Sequence, residues 1–365
     1  MKIGIDAKRI YHNSTGLGNY GRDLVRILSG QHPESSFVLY NPKPAKISTD
    51  FPDNVSERRP RGMWKYFSSA WRSKYIGGEI PGDGVELYHG LSAELPGTLT
   101  VPSIVTVHDL IFLRLPDLYK AADRRIYTWK TRKALESASH IISISEQTKS
   151  DIIEYFGTDS EKITVIHQGC NHQFRKVVTT EQMEQIREKY GLPDTFILNV
   201  GTLENRKNSL LVLVAARNMD VSIVLVGRKT AYQAVLERYI LDNNMQERVF
   251  FIHDVDFNDL PAIYHLASIF CYPSRYEGFG IPILEAISCG TPVITSMGGV
   301  FSEAGGDIAR YIDPDDPEEM ERMILELLGD GGDPNELETA EHLHHFSDEV
   351  VGEKYWNIYN KVLNS

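Results

Sequence analysis

The sequence predicts an α/β protein built from two doubly wound parallel sheets. Three observations predict it. Short apolar runs alternate with longer segments of helical pattern along the chain, as strands buried on both faces and their crossover helices do. The chain has 365 residues, more than one ordinary domain holds. Its ten apolar runs would make one large sheet, and their rhythm pauses at residues 171–176 before it resumes.

In the first half the apolar runs are residues 2–6, 37–40, 104–107, 140–143 and 163–167. Each ends in polar or glycine residues, and most lead into a helical pattern. In the second half the runs are 196–200, 222–226, 249–252, 269–272 and 292–295. A helical stretch at 180–190 and the turn Gly191-Leu192-Pro193 introduce this second series. The expected domains are therefore residues 1–172 and 173–345. The last segment, 346–365, carries Val350, Val351, Tyr355, Ile358, Tyr359 and Val362 in an amphipathic pattern. It either ends the second domain or crosses back to the first. The acidic, glycine-rich run 313–336 reads as surface, with a solvated loop at 330–334.

Composition narrows the class. Hydrophobic residues make up 42% and charged residues 24%, normal for a soluble globular protein. A net charge of -12 argues against a nucleic-acid binder, which would be basic. Cys170, Cys271 and Cys289 lack metal-type spacing and are odd in number, so reduced, buried thiols in a cytosolic protein are expected. The start MKIGIDA lacks the apolar region of a signal peptide. No apolar run approaches the roughly 18 residues of a membrane span.

The segment 274–296, SRYEGFGIPILEAISCGTPVITS, is the most informative. Glu277 and Glu285 suggest a glycosidase acid and nucleophile, but eight helical residues would span about 12 Å, and such pairs sit about 5–9.5 Å apart. Gly278 and Gly280 favour a turn and Pro282 fits the first helical position. Glu277 is then on a loop and Glu285 in the first helical turn, with different tasks. N–H groups between Gly278 and Leu284, with the helix dipole, would attract a phosphate. An acidic residue beside them suits sugar hydroxyls. The bland alternative is a strand–turn–helix with two surface glutamates.

Arg206 and Lys207 follow the first strand of the second series, where open α/β sheets bind ligands. They suit a leaving diphosphate or are a solvated basic pair. Gly16, Gly18 and Gly21 form a GxGxxG string, but it begins about ten residues after the first strand, too late for the dinucleotide fingerprint. A looser glycine loop over a diphosphate, or a loop with no ligand, fits better. His108 and Asp109 end a strand. The histidine can bond a sugar hydroxyl or move a proton, while Asp109 orders the loop. Ser145 reads as a helix N-cap. The strings Asp254-Val255-Asp256 and Asp313-Pro314-Asp315 are read as loop and surface, not as metal sites. Residues 57–75 interleave Arg58, Arg59, Arg61, Lys65, Arg72 and Lys74 with Trp64, Tyr66, Phe67 and Trp71. They either dock an anionic membrane or lipid-linked acceptor or form a helix with its aromatics in the core.

Gly278-Phe279-Gly280, Pro282, Glu285-Ala286, Gly290 and Pro292-Val293 together resemble the Glu-x7-Glu motif of the retaining GT-B glycosyltransferases. The resemblance runs nearly the whole length, from the glycine loop to the last helix. It implies a GT-B fold, two Rossmann-like domains facing a cleft whose closure excludes water, with the last helix crossing back to the first domain. It implies that Glu277 and the N–H groups of Phe279, Gly280 and Ile281 hold the donor sugar. Glu285 would bind the ribose, and N–H groups near Leu284 the diphosphate. Arg206 and Lys207 would neutralise that diphosphate; Thr202 stands where many members carry arginine. Gly16 and Gly18 would cover the diphosphate from the facing domain, and His108 would lie against the sugar. The loop at Val255 would read the base, with His253 where the family often has glycine.

The implied reaction is retaining hexosyl transfer from a nucleotide-diphosphate sugar to a saccharide or lipid-linked saccharide, by front-face attack and with no metal or other cofactor. GTLENRKN and HDL look closest to bacterial mannosyltransferases using GDP-mannose in surface polysaccharide synthesis. A UDP-sugar glucosyl- or N-acetylhexosaminyltransferase, a GT-B nucleotide-sugar epimerase, a glycosidase and a non-catalytic nucleotide-sugar binder remain as alternatives. The expected location is cytoplasmic, with 57–75 as a peripheral membrane contact.

Overall fold

The computed structural model describes residues 1–330 and 335–365. The loop expected at 330–334 falls on residues 331–334, outside those described. The chain divides into two compact units, Met1–Gln168 with Ser347–Ser365, and Gly169–Phe346. Among the described residues each unit is built on one parallel sheet with helices between its strands.

The first sheet holds β1 (Lys2–Asp6), β2 (Ser36–Tyr40), β3 (Val55–Arg58), β4 (Leu87–Gly90), β5 (Ser103–Val107), β6 (His140–Ser143) and β7 (Ile163–Val165). Their spatial order is β3-β2-β1-β4-β5-β6-β7. The second sheet holds β8 (Phe196–Val200), β9 (Ser222–Val226), β10 (Val249–Ile252), β11 (Ile269–Tyr272), β12 (Val293–Ser296) and β13 (Arg310–Ile312). Its order is β10-β9-β8-β11-β12-β13. In both sheets the order reverses beside the first strand, the arrangement that leaves a crevice at the strands' carboxyl ends.

β3, β4 and β13 were not expected from the apolar runs. β3 reads VSER at a sheet edge and β13 has three residues. β4 is wholly buried, but its LYHG gives a pattern too short to register. The acidic run 313–336 is not all surface. It contains the helix Pro317–Asp330, whose Met320, Ile324 and Leu327 enter the second core.

The helix Asp348–Leu363 belongs to the first unit. Its Val351, Tyr355, Ile358, Tyr359 and Val362 pack with Leu24, Val25 and Leu28 of the helix Gly16–Gln31. Arg26 pairs with Asp348 at 2.8 Å, and the Gln31 amide donates to the Asp348 carbonyl at 2.8 Å. At Gly352 a Cβ would sit 2.0 Å from Gln31 Oε1, so a side chain there would have to displace the Gln31 amide.

The basic segment 57–75 begins on β3, makes a 3-10 turn at Gly62–Lys65 and enters helix from Ser68. Of its aromatic rings, Trp71 is fully buried while Tyr66, Phe67 and Tyr75 face water. Arg72 points inward and binds Asp6, with Nε 2.9 Å from Oδ1, and also Glu94. The expectation of aromatics in the core holds for Trp71.

Candidate active site

β8 and β11 are neighbours at the reversal of the second sheet, so the loops that leave them lie side by side. Asn199 fixes this junction: its amide donates to the Cys271 carbonyl at 2.7 Å and accepts from Ser209 Oγ at 2.8 Å. A 3-10 turn, Asn205–Lys207, then presents Arg206 and Lys207, and Asn208 ends it in the left-handed region at φ 56. At the end of β9, Gly227 lets the backbone pass close to this loop. A Cβ there would lie 1.8 Å from the Gly201 carbonyl oxygen.

Glu277, on the loop after β11, lies between the two cations. Its Oε2 is 2.8 Å from Arg206 Nη1 and its Oε1 is 2.7 Å from Lys207 Nζ. All three side chains are nearly buried. Burial alone would raise the Glu277 pKa, but Lys207 and Arg206 outweigh it and hold the carboxyl below the usual range. Lys207 Nζ also donates to Tyr272 Oη at 2.7 Å, above the ring at 4.9 Å from its centroid. Arg206 donates to the Tyr276 carbonyl and pairs with Glu204 at 2.6 Å. The sequence reading gave Glu277 to a sugar and the cations to a diphosphate. The structure joins all three, since buried charges require partners.

Gly280, at φ 116, opens the helix Ile281–Ser288. Pro282 is the second residue of that helix and Glu285 the fifth, so Glu285 stands past the first turn where the sequence reading put it. Ile283 N–H bonds the Gly280 carbonyl at 2.9 Å. Gly278 precedes the buried Phe279, whose ring packs 5.9 Å from that of Phe346; Leu284 is buried. Glu285 is buried and accepts from Tyr264 Oη at 2.9 Å. Burial raises its pKa to about 7, against the opposing Tyr264 bond. Glu204, Tyr264 and Tyr272 therefore belong to the site although the sequence reading did not name them. Glu204 lay inside the quoted basic string, Tyr272 ended the apolar run 269–272, and Tyr264 lies on the helix Leu260–Leu266.

Val255 lies half-buried in the loop after β10, next to Asp254 at φ 56; His253 Nδ1 meets the Gly227 carbonyl at 2.6 Å. Asp315 of the second Asp-x-Asp string pairs with Arg275. Among the described residues no group of three or more His, Cys, Asp or Glu is placed to hold a metal ion.

The other candidates lie in the first unit. Gly16 and Gly18 do not form a loose loop: they are in the first turn of the helix Gly16–Gln31, after Thr15. Gly18 is required because a Cβ would meet the Asn13 carbonyl oxygen at 1.8 Å. His108 follows β5 and is buried, with Nε2 2.8 Å from the Leu91 carbonyl and Nδ1 2.9 Å from the Gln168 amide nitrogen. The carbonyl needs the proton on Nε2, so Nδ1 accepts from Gln168. Burial holds the His108 pKa down at about 4, so the ring is neutral near pH 7. Asp109 accepts from Ile111 N–H at 3.1 Å, and Ser145 caps its helix through Thr148 N–H at 3.0 Å.

Two family models match this chain in succession. Residues 17–174 match Glycosyltransferase Family 4 and residues 182–344 match Glycosyl transferases group 1. The chain thus carries a glycosyltransferase family 4 domain followed by a group 1 glycosyltransferase domain. It is similar to O-antigen chain mannosyltransferase B of Escherichia coli, 32% identical over 252 residues that cover 67% of this chain and 65% of that one. It is also similar to O-antigen chain mannosyltransferase RfbU of Salmonella typhimurium, 30% identical over 61% of this chain and 60% of that one. The match thus spans less than two thirds of either relative. Among solved structures, sucrose-phosphate synthase from Thermosynechococcus elongatus shares the fold at a TM-score of 0.79 and 19% identity, covering 100% of this chain and 99% of that one. WaaG, a glycosyltransferase involved in lipopolysaccharide biosynthesis, does so at 0.72 and 17%, covering 98% and 99%. The fold is GT-B.

Proposed function

We propose that this glycosyltransferase moves a mannosyl residue from GDP-mannose to a saccharide or lipid-linked saccharide acceptor, with retention at the anomeric carbon and without a metal ion. The observation that carries the reading is the Arg206–Glu277–Lys207 cluster at the reversal of the second sheet. Two buried cations held by one carboxylate form a site that a diphosphate can take over. As the glycosidic bond breaks, negative charge grows on the β-phosphate, and preorganised cations stabilise it most there. Glu277, released from the cations, then accepts bonds from sugar hydroxyls. Glu285 takes the ribose hydroxyls, and the N–H groups at Phe279–Ile281 complete the donor site.

The acceptor hydroxyl forms the new bond to the anomeric carbon while the bond to the diphosphate oxygen breaks. The hydroxyl proton passes to the departing phosphate. His108, neutral and bonded at both ring nitrogens, moves no proton in this scheme. The mannosyl donor is favoured by the two mannosyltransferase relatives. A nucleotide-sugar donor goes with work at the cytoplasmic side, with the segment 57–75 touching the membrane.

Incubation with a panel of nucleotide sugars, with and without lipid-linked and free saccharides, tests this. Acceptor-dependent GDP release from GDP-mannose, undiminished by EDTA, is expected. UDP release from a UDP-sugar would replace the donor, sugar conversion without acceptor would indicate an epimerase, and loss of activity with EDTA would remove the metal-free claim.

A further inference from the structure

We infer that the first unit docks on an anionic lipid surface through two elements, the 62–75 segment and the helix Ala121–Ser137. This rests on the membrane role proposed for 57–75 and extends it to a helix with no part in the donor site. Charge is the first observation. The 62–75 segment and the helix Ala121–Ser137 together hold 8 of the chain's 38 Lys and Arg but 2 of its 50 Asp and Glu. A chain of net charge -12 therefore gathers cations on two elements.

The second observation is that these elements are neighbours. One carboxylate, Glu94, binds Arg72 of the first and Lys130 of the second, the latter at 2.9 Å. The third is what faces water. Tyr66 is 87% exposed and Phe67 56%, beside exposed Arg61 and Lys65. On the helix, Trp129 is 61% exposed and Ile126 50%. Arg125 and Lys133, also exposed, lie one turn before and after Trp129 on the same face. Lys133 meets Glu136 at 3.2 Å, an exposed pair that water and salt screen. The opposite face, with Thr131, Ala134 and Leu135, is the buried one.

A water-facing stripe of large apolar side chains between cations is the composition suited to the boundary between lipid headgroups and acyl chains. The cations add attraction to anionic headgroups that salt weakens. An acidic protein partner would satisfy the cations but would not account for the exposed Tyr66, Phe67, Ile126 and Trp129 among them.

The test is flotation of the full chain with phosphatidylcholine vesicles and with mixed phosphatidylcholine–phosphatidylglycerol vesicles. Wild type should float with the anionic vesicles, less so as salt rises. Tyr66→Ser/Phe67→Ser and Ile126→Ser/Trp129→Ser should each lower partitioning roughly tenfold while GDP binding stays unchanged. If wild type floats with neither vesicle, the membrane reading of 57–75 falls together with this inference. If wild type floats and Ile126→Ser/Trp129→Ser floats equally well, the 57–75 reading stands and the two-element face is overturned. A wild-type dimer that the same variant abolishes, with no flotation, gives the face to a second copy and also overturns it.

Discussion

Glu277 bridges two nearly buried cations, Arg206, which also pairs with Glu204, and Lys207, which also bonds Tyr272 Oη. Replacing it by Ala should cost the second unit about 3–5 kcal/mol, the usual effect of breaking a buried pair from one side. A diphosphate supplies the missing negative charge, so GDP should raise the urea midpoint of Glu277→Ala more than that of wild type. Equal increments would mean that the cations do not face the diphosphate. Glu285 behaves in the opposite sense. Burial raises its pKa from 4.5 to about 7, so the folded protein keeps a proton that the unfolded chain releases first. Stability should fall as pH rises from about 4.5 to about 7 and be flat above. Glu285→Gln should remove that slope, and Tyr264→Phe should carry it to higher pH. Denaturant titrations across pH check both. The sequence made these carboxylates visible through turn chemistry. It did not show their partners, because an ion pair between loops of different strands depends on which strands are neighbours.

At the scale of elements, long fully buried strands were legible. β1, β5, β8 and β9 are mostly apolar and almost wholly buried, as strands are when helices cover both sheet faces. The edge strand β3 was not, since half its residues face water and its sequence is polar. The glycine string at 16–21 misled in a specific way: glycine suggested a loop, whereas Gly18 and Gly21 let a helix pack against the Asn13 carbonyl and Ile10. Gly227 gives a sharper case. A methyl group 1.8 Å from a carbonyl oxygen cannot be accommodated without moving β9 or the Arg206–Lys207 loop. Gly227→Ala should destabilise the second unit by about 1–3 kcal/mol or more and weaken donor binding beyond what the stability loss explains. A variant with wild-type urea midpoint and wild-type affinity would show that the loop is free to shift.

For the whole molecule, two sheets with reversed order and two family models in succession give a GT-B glycosyltransferase. That much was legible from one segment, 274–296, because its glycines, proline and glutamates are fixed by the backbone they must form. The donor was less legible: the choice of base and sugar turns on small contacts, which no spacing in the sequence encodes. The charge distribution adds a third feature, an acidic molecule with a basic, aromatic face on its first unit. The central claim is that Arg206, Lys207, Glu277 and Glu285 hold a nucleotide-diphosphate sugar. Calorimetric titration of GDP-mannose into wild type, Lys207→Ala and Glu285→Ala tests it most directly. Wild type should bind saturably, and each variant at least about tenfold more weakly, as loss of one charge-assisted contact implies. Superimposable curves for the three proteins would contradict it.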